Sequence, residues 1–338
     1  MLIFRCNGDL IVDLTSLIGG PLINLLILLV SIIVLDRTSH VAITNAVKIS
    51  EITGFDETSM GFILMAITTS LPELSVSILS ALLGEIGILV GNVLGSNVVD
   101  VCFIIGLVVL FVGLKHSKNT NIVPSMAKRE LASLYFGLFV ASIIPASLIY
   151  LAHVSQLIGS ALLTVFAVYL YHASRVTFPR KEMTIGGLLE EKKLGQYYLL
   201  TSAGAFGVIV SSFFLVDSAC HIAETMGISK TLLGATIIAF GTSLPELAIS
   251  LKAVNKERSA IALGNIVGSC FTNITLILGV GLLICPLTVN MVVFSELVTF
   301  SLIANLFLWY FLTIGRVSLR EGAILLFIYG LFLATILA

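Results

Sequence analysis

The pentapeptide Thr-Ser-Leu-Pro-Glu occurs twice in this chain, at 69–73 and at 242–246, and each copy lies inside a long apolar segment. A carboxylate at the centre of a bilayer costs several kcal/mol unless it faces a partner or a wet cavity. Each acid also follows a proline directly, and proline interrupts helical hydrogen bonding. Two such arrangements in one chain predict a polar site near the middle of a membrane, with Glu73 and Glu246 at its centre.

The composition also indicates a membrane protein. Hydrophobic residues make up 58% of the chain and charged residues 11%, and the mean hydropathy is +1.11, whereas soluble domains have about 25% charged residues. A bilayer core requires about 20 apolar residues per helix, so we predict an all-α membrane protein with ten transmembrane helices. The predicted spans are 20–50, 59–83, 86–113, 129–150, 154–174, 194–226, 231–253, 259–284, 290–314 and 321–337.

The basic residues predict the orientation of these spans. The loops after spans three, five, seven and nine, with their flanks, carry 14 of the 18 lysine and arginine residues. Because basic loops remain in the cytoplasm, we expect these four loops to be cytoplasmic and both termini to be outside, in the cell (plasma) membrane. The first residues include Asp9 and Asp13 and no signal-cleavage site, so we expect them to be retained. The net charge of −1 argues against a nucleic-acid partner, and the expected surroundings are the lipid bilayer.

The chain contains an internal duplication. An ungapped alignment of 51–106 with 224–279 gives 19 identities in 56 positions. Five predicted spans precede the second unit, so the two units enter the membrane in opposite directions, and such inverted repeats are typical of secondary transporters. The predicted organisation is a first five-helix repeat at 1–174, a cytoplasmic linker at 175–193 and a second, inverted repeat at 194–338.

Polar residues concentrate on spans two, three, seven and eight. Pro72 and Pro245 lack an N–H group and crowd earlier carbonyls, so the carbonyls around 66–69 and 239–242 can turn away from the helix and act as ligands. Broken helices at membrane depth are tolerated where they line a cavity or are buried in protein. Spans three and eight each carry three polar residues at i, i+4 and i+8, on one helix face. These are Asn92, Ser96 and Asp100, and Asn265, Ser269 and Asn273. We therefore predict that broken helices 2, 3, 7 and 8 form a central site.

The residues of this site are all oxygen donors. Carboxylates, hydroxyls, amides and backbone carbonyls suit a hard cation, and Ca²⁺ takes 6–8 oxygen ligands in flexible geometry. Sodium fits the same oxygens with fewer ligands for each ion. Histidine and cysteine are absent from these faces, so a soft metal is not indicated. The prediction from the residues is a metal-binding site for Ca²⁺ or Na⁺.

The two repeats resemble a known family. The segments GFILMAITTSLPELSVS and GNVLGSNVVD, with GATIIAFGTSLPELAIS and GNIVGSCFTN, are similar to the two alpha motifs of the cation/calcium exchanger superfamily, here at 58–106 and 231–279. Within that superfamily they resemble prokaryotic sodium/calcium exchangers. The resemblance implies a secondary active antiporter that exchanges Ca²⁺ for Na⁺ by alternating access. It implies no enzyme activity, no cofactor apart from the transported ions, and no protein partner.

The resemblance also implies a ligand set and a moving part. Spans one and six would slide as a gating pair. Two departures from the family pattern stand out: Asp100 and Asn273 reverse the usual placement of Asn and Asp, and Thr68 replaces a glycine that the second copy keeps as Gly241. The implied metal ligands are Glu73, Glu246, Asp100, Asn273, Thr69, Ser70, Thr242, Ser243, Ser96 and Ser269, with backbone carbonyls at Ala66 and Ala239.

Several alternatives remain open at this stage. Asp100 fits a structural acid as well as a ligand, and Asn92 and Asn265 fit either ligands or hydrogen-bonding scaffold. The same glutamates suit a Ca²⁺/H⁺ antiporter or a K⁺-coupled variant, although many hydroxyl and carbonyl positions favour sodium. An intramembrane enzyme or a channel is disfavoured, because the chain has no HExxH or nucleotide-binding motif and because its inverted repeat indicates a transporter.

Overall fold

The computed structural model describes residues 21–53, 69–115, 128–150, 155–174, 194–255, 259–286 and 291–337. These residues are helical apart from short turns, and they include no strand. They form ten helical rods in chain order. The rods are α1 (Pro21–Thr53), α2 (Leu71–Leu82), α3 (86–115), α4 (Lys128–Leu148), α5 (Gln156–Ser174), α6 (Leu194–Met226), α7 (Lys230–Asn255), α8 (Ser259–Ile284), α9 (Met291–Ile314) and α10 (Leu319–Ile336).

Eight of these rods are long and apolar enough to cross a membrane. The other two, α2 and α5, are shorter apolar helices at the places of predicted spans two and five. The all-helical, membrane-spanning architecture is therefore confirmed for the described part of the chain. The count of ten spans stays a prediction, since the start of span two and the predicted linker at 175–193 lie outside the described residues.

Three rods contain a π-helical segment. These segments are Val99–Ile104 in α3, Gly234–Ile238 in α7 and Asn273–Ile277 in α8. Rods α3 and α8 therefore differ from the broken helices that we predicted: they contain no proline, so they continue without interruption and widen locally. Short π segments are rare in proteins, and those that do occur are frequently found at functional sites. In α3 and α8 they carry the candidate ligands Asp100 and Asn273.

Rods α1 and α6 are the longest, at 33 residues each, and they pack along each other. Their contact depends on small residues: a methyl group added at Gly204 would lie 2.6 Å from the backbone nitrogen of Ala42, and one at Gly207 would lie 2.5 Å from Thr38. Large apolar side chains such as Phe206 are exposed on this pair. The pair therefore lies at the periphery of the helix bundle, facing lipid on one side.

Rods α3 and α8 form the centre, since 83% and 78% of the residues in an apolar 18-residue stretch of each rod are buried. Rod α3 crosses α7 at very short range. A methyl group at Gly95 would lie 2.5 Å from the carbonyl oxygen of Ala235, and one at Gly91 would lie 2.3 Å from that of Thr231. Close packing of small residues is a principal source of helix association in membranes, so this crossing fixes the two rods against each other.

An ion-pair cluster lies where α6, α7 and the turn before α3 meet. The Nζ atom of Lys230 is 2.7 Å from Oε1 of Glu85 and 3.1 Å from Oε1 of Glu224. Gly84 in the preceding turn has φ of 76°, a left-handed conformation that glycine adopts without strain. The cluster connects the α2–α3 hairpin to the start of α7 at one end of the bundle.

Candidate functional site

Both pentapeptide glutamates lie in the first turn of a helix. Glu73 follows Pro72 at the start of α2, and Glu246 follows Pro245 at the start of the second part of α7, Leu244–Asn255. Each proline lacks the N–H group that would continue the preceding helix, whereas at the start of a new helix that donor would be unpaired in any case, so a new helix begins there. The positive end of a helix dipole favours an acid in its first turn. Both side chains are completely buried, so this stabilisation acts away from bulk solvent.

The two pentapeptides meet through reciprocal hydrogen bonds. The hydroxyl of Ser70 donates to Oε1 of Glu246 across 3.4 Å, and the hydroxyl of Ser243 donates to Oε1 of Glu73 across 3.3 Å. Each serine thus holds the glutamate of the other copy. The two acids predicted to form the centre of the site are brought together in one buried polar region.

A second reciprocal pair involves the threonines. The hydroxyl of Thr69 donates to Oδ1 of Asn265 across 3.3 Å, and the hydroxyl of Thr242 donates to Oδ1 of Asn92 across 3.1 Å. The two threonines are related to each other by the offset of 173 residues that aligns the two repeats, and so are the two asparagines. Related residues therefore make related contacts in both halves of the site.

Asn92 makes the contacts of a scaffold residue. Its Nδ2 atom donates to the backbone carbonyl of Glu73 across 3.3 Å and to the hydroxyl of Ser77 across 3.1 Å, while its Oδ1 atom accepts from Thr242. Its side chain is therefore fully occupied in joining α3 to α2 and α7. Asn265 differs, because its Nδ2 atom has no hydrogen-bond partner among the described residues.

Asp100 completes a group of three acids. It is completely buried, and it lies near enough to Glu73 and Glu246 to interact electrostatically with both. The hydroxyls of Ser243 and Ser269 are close to its carboxyl group. However, neither carboxylate oxygen accepts a hydrogen bond of standard geometry within the described ranges. A purely structural acid would be expected to accept such bonds, so its geometry favours a ligand.

Further oxygen atoms of the predicted site are buried and lack hydrogen-bond partners in the described part of the chain. They are Oε2 of Glu73, Oε2 of Glu246, Oγ of Ser96 and Oδ1 of Asn273. Unsatisfied buried oxygens are costly, and a hard cation coordinated by them would remove that cost. Within the described part of the chain, no three His, Cys, Asp or Glu side chains lie close enough together to hold a metal ion by themselves. The candidate site is therefore a mixed set of acids, hydroxyls and amides.

Only one of the two predicted backbone ligands lies among the residues that the structure describes. Ala66 lies outside the described residues. The carbonyl of Ala239 accepts from the backbone nitrogen of Ser243 at 3.1 Å and from the hydroxyl of Thr242 at 3.3 Å. Both of its lone pairs are thus used within α7 in this conformation. The expected release of this carbonyl by Pro245 is not seen here, because the helix remains closed up to Ser243.

Asn97 is a contact residue that the sequence analysis missed. Its Oδ1 atom accepts a hydrogen bond from Nδ2 of Asn273 across 3.0 Å, which joins α3 to α8. The repeat alignment gives no signal for it, since the equivalent position in the second repeat is Cys270. Only its place directly after the Gly-Ser of the first motif could have drawn attention to it.

The sequence is similar to a known protein family over most of its length. Residues 23–175 and 197–338 match the family model described as sodium/calcium exchanger protein. The chain is 29% identical over 352 residues to the sodium/calcium exchanger MaX1 of Methanosarcina acetivorans, covering 93% of this chain and 98% of that protein. A shorter match, 38% identical over 86 residues, covers 25% of this chain and 12% of sodium/potassium/calcium exchanger 2 of Homo sapiens.

The fold is similar to a solved structure. The sodium-calcium exchanger NCX_Mj, soaked with 10 mM Na⁺ and zero Ca²⁺, matches with a TM-score of 0.62 and 26% sequence identity. The match covers 94% of this chain and 99% of that one. The likeness therefore extends over nearly the whole chain.

Proposed function

Because this chain belongs to the sodium/calcium exchanger family, we propose that it is a secondary active antiporter that exchanges Ca²⁺ for Na⁺ across the cell membrane by alternating access. One observation supports this proposal above the others. Ser70 and Ser243 each hold the buried glutamate of the opposite pentapeptide, so two acids from separate halves share one polar centre. Ionisable residues inside a membrane mark ion pathways.

The charges of this centre suggest how movement is coupled to loading. Three buried acids, Glu73, Glu246 and Asp100, interact with one another. An ionised and empty site of this kind is costly in low dielectric. Occupation by one Ca²⁺ or by several Na⁺ neutralises the acids and removes the cost. Because the two ions would use the same oxygens, they compete for the site, and competition at one site is the basis of exchange.

The proposed ligands are those implied by the family resemblance. They divide into acids (Glu73, Glu246 and Asp100), an amide (Asn273), hydroxyls (Thr69, Ser70, Ser96, Thr242, Ser243 and Ser269) and backbone carbonyls (Ala66 and Ala239). The carbonyl of Ala239 is held within α7 in the conformation described. It would become a ligand only in a second conformation in which α7 opens before Ser243, and alternating access requires such a second state.

The proposed architecture is two five-helix repeats of opposite orientation. The reciprocal serine–glutamate and threonine–asparagine pairs support it, since a two-fold relation between the halves produces contacts of this kind. Helices α1 and α6 would slide along the bundle as a gating pair. Their length and their lipid-facing surface suit that role, and the close glycine contacts keep the two helices together as a pair.

The experiment that tests the function is ⁴⁵Ca²⁺ uptake into proteoliposomes under three separate outward gradients, of Na⁺, H⁺ and K⁺. We expect uptake only with the Na⁺ gradient, and no uptake into protein-free vesicles. Uptake that follows the H⁺ gradient would instead identify a Ca²⁺/H⁺ antiporter that uses the same glutamates. Absence of uptake under all three gradients, and also when Na⁺ and K⁺ are supplied together, would contradict exchange altogether.

A K⁺-coupled exchanger is the second candidate. The observation that favours it is the similarity of 86 residues to sodium/potassium/calcium exchanger 2 of Homo sapiens. In that case the Na⁺ gradient alone would drive little uptake, and K⁺ supplied either inside with Na⁺ or outside with Ca²⁺ would restore it. The same assay with both ions present therefore separates the two candidates.

A further inference from the structure

Helix α9 carries two buried polar residues on an otherwise apolar face. Ser301 and Asn305 are one helical turn apart, and each is 1% exposed. The hydroxyl of Ser301 and both polar atoms of the Asn305 amide have no hydrogen-bond partner within the described ranges. Buried polar groups are nearly always paired with protein or with ordered water. These two residues are not among the predicted ligands, so they require a separate explanation.

The ring contacts of α9 show which way these residues point. Trp309 stacks against α4 and Phe300 packs against α10. At about 100° per residue, Asn305 lies about 40° and Ser301 about 80° from Trp309, on the way to Phe300 at about 180°. The opposite side of the helix carries Tyr310, which is exposed. The two polar side chains therefore point into the bundle between α4 and α10, where α9 packs against α3 and its π segment.

Asn97 is a buried residue of α3, the helix against which α9 packs. Helices α3, α8, α4 and α9 form a closed quartet. Asn97 on α3 bonds to Asn273 on α8, a methyl group at Gly137 on α4 would lie 2.8 Å from Val267 on α8, and α9 contacts both α4 and α3. The Nδ2 donor of Asn97 has no partner among the described residues, and neither has the Oδ1 acceptor of Asn305. An unused donor on α3 and an unused acceptor on α9 are thus buried within the same quartet of helices.

Among the described residues, the equivalent helices of the other half show no such combination of buried polar groups. The repeat alignment places Cys270 opposite Asn97. Helix α4 packs on α8, as α9 packs on α3, but its buried residues include Leu134, Leu138 and Ala141. The half that has the buried Asn97 on its central helix thus also has the buried polar residues on the flanking helix, and the described residues of the other half show neither. This joint asymmetry indicates that they act as one unit.

We propose that Asn305 and Ser301 are positioning residues for Asn273, and that they act through Asn97 by a buried hydrogen-bond chain that water completes. An amide presents oxygen on one side and nitrogen on the other. While Asn97 offers its oxygen to Nδ2 of Asn273, the Oδ1 atom of Asn273 is left for a cation. An acceptor at Asn305 holds the Nδ2 atom of Asn97 and prevents that amide from reversing. If the Asn97 amide were reversed, its Nδ2 atom would donate to Oδ1 of Asn273. The Nδ2 group of Asn273 would then face the ion in place of that oxygen.

This inference rests on the proposed function, in which Asn273 is an ion ligand. Partners behind metal ligands typically change metal affinity by roughly 10- to 100-fold. The test uses Asn305→Leu, which removes the acceptor at similar size, and Ser301→Ala. Asn305→Thr retains an acceptor, and Thr299→Val is a matched control on the exposed side of α9. The measured quantity is the Ca²⁺ concentration that gives half of the Ca²⁺-induced rise in the unfolding temperature of the purified protein.

We expect Asn305→Leu to raise this concentration about tenfold without lowering the unfolding temperature of the ion-free protein. Asn305→Thr should restore most of the affinity, and Thr299→Val should match the wild type. In an Asn273→Ala background, Asn305→Leu should have no further effect, because the two residues would act on one contact.

Two results would overturn this inference without affecting the proposed function. One is a wild-type Ca²⁺ affinity in Asn305→Leu, and the other is an equal loss of Ca²⁺ affinity whether or not Asn273 is present. A lower unfolding temperature with unchanged affinity would likewise reduce Asn305 to a packing residue. If the wild type itself gained no stability from Ca²⁺ or Na⁺, the proposed function would fail first.

Discussion

The hydroxyl of Ser243 donates a hydrogen bond to Oε1 of Glu73 across 3.3 Å and joins residues 170 positions apart in the chain. Only one carboxylate oxygen is used, since Oε2 of Glu73 has no partner within the described residues. The serine therefore orients the acid without consuming its capacity to bind an ion. Ser70 does the same for Glu246, so the two acids are held in place by opposite halves.

Neutralising either central acid should stop transport. In Glu73→Gln or Glu246→Gln the site loses a negative charge while the side-chain volume is conserved, so the protein should fold and Ca²⁺ flux should fall more than about 100-fold, beyond the loss typical of residues behind metal ligands. The measurement is ⁴⁵Ca²⁺ uptake into proteoliposomes. Glu224→Gln is the matched control, because that acid is exposed at the end of α6. Wild-type flux in either central variant would exclude the assignment.

Asp100 and Asn273 should contribute unequally to sodium binding. Asp100→Asn removes a buried charge near Glu73 and Glu246, and we expect the half-saturating Na⁺ concentration to rise about tenfold, equivalent to ~1.4 kcal/mol. Asn273→Asp should change it less. The quantity is measured as Na⁺-dependent Ca²⁺ release from loaded proteoliposomes. Unchanged sodium dependence in Asp100→Asn would make this residue a structural acid.

The crossing of α3 and α7 should not tolerate a side chain at Gly95. A methyl group there would lie 2.5 Å from both the Cα atom and the carbonyl oxygen of Ala235, and backbone atoms cannot move aside cheaply. Overpacking of this kind costs about 1–3 kcal/mol. We expect Gly95→Ala to lower the unfolding temperature in detergent, whereas Gly330→Ala should not, since nothing lies within 4 Å of that position. Equal unfolding temperatures would show that the rods can separate.

The predicted orientation is open to a labelling test. Met226 at the end of α6 and Lys252 near the end of α7 are both exposed, and the charge distribution places them on opposite sides of the membrane. In a variant without native cysteines, Met226→Cys should react with a membrane-impermeant maleimide in intact cells. Lys252→Cys should react only after permeabilisation. The reverse pattern would invert the topology, and labelling of both from outside would mean that the number of spans between them is wrong.

Much of this arrangement follows from local properties of the sequence. The places of the ten helices follow from runs of apolar residues, because backbone polar groups in lipid must be satisfied within a helix. Pro72 and Pro245 fix where the site helices begin, since proline has no backbone N–H group with which to continue the preceding helix. The repeat comparison identified Glu73 and Glu246 as partners before any contact was known.

Other features were decided by contacts between distant segments. The sequence did not predict the π segments that carry Asp100 and Asn273, because a local widening depends on what packs around the helix. Nor did it reveal the hydrogen bond between Asn97 and Asn273, which are 176 positions apart. The second repeat has a cysteine at the position equivalent to Asn97, so the repeat comparison gives no hint of this bond. The carbonyl of Ala239 was expected to be free, but it stays within α7.

The sequence by itself determined that this chain forms apolar helices with two buried acids in duplicated surroundings, since hydropathy, proline and duplication are properties of neighbouring residues. Only the tertiary structure decided which hydroxyl holds which acid and which buried oxygens are left for an ion. Hydrogen bonds require atoms to meet within about 3.5 Å at suitable angles, and that condition is settled by how the helices cross.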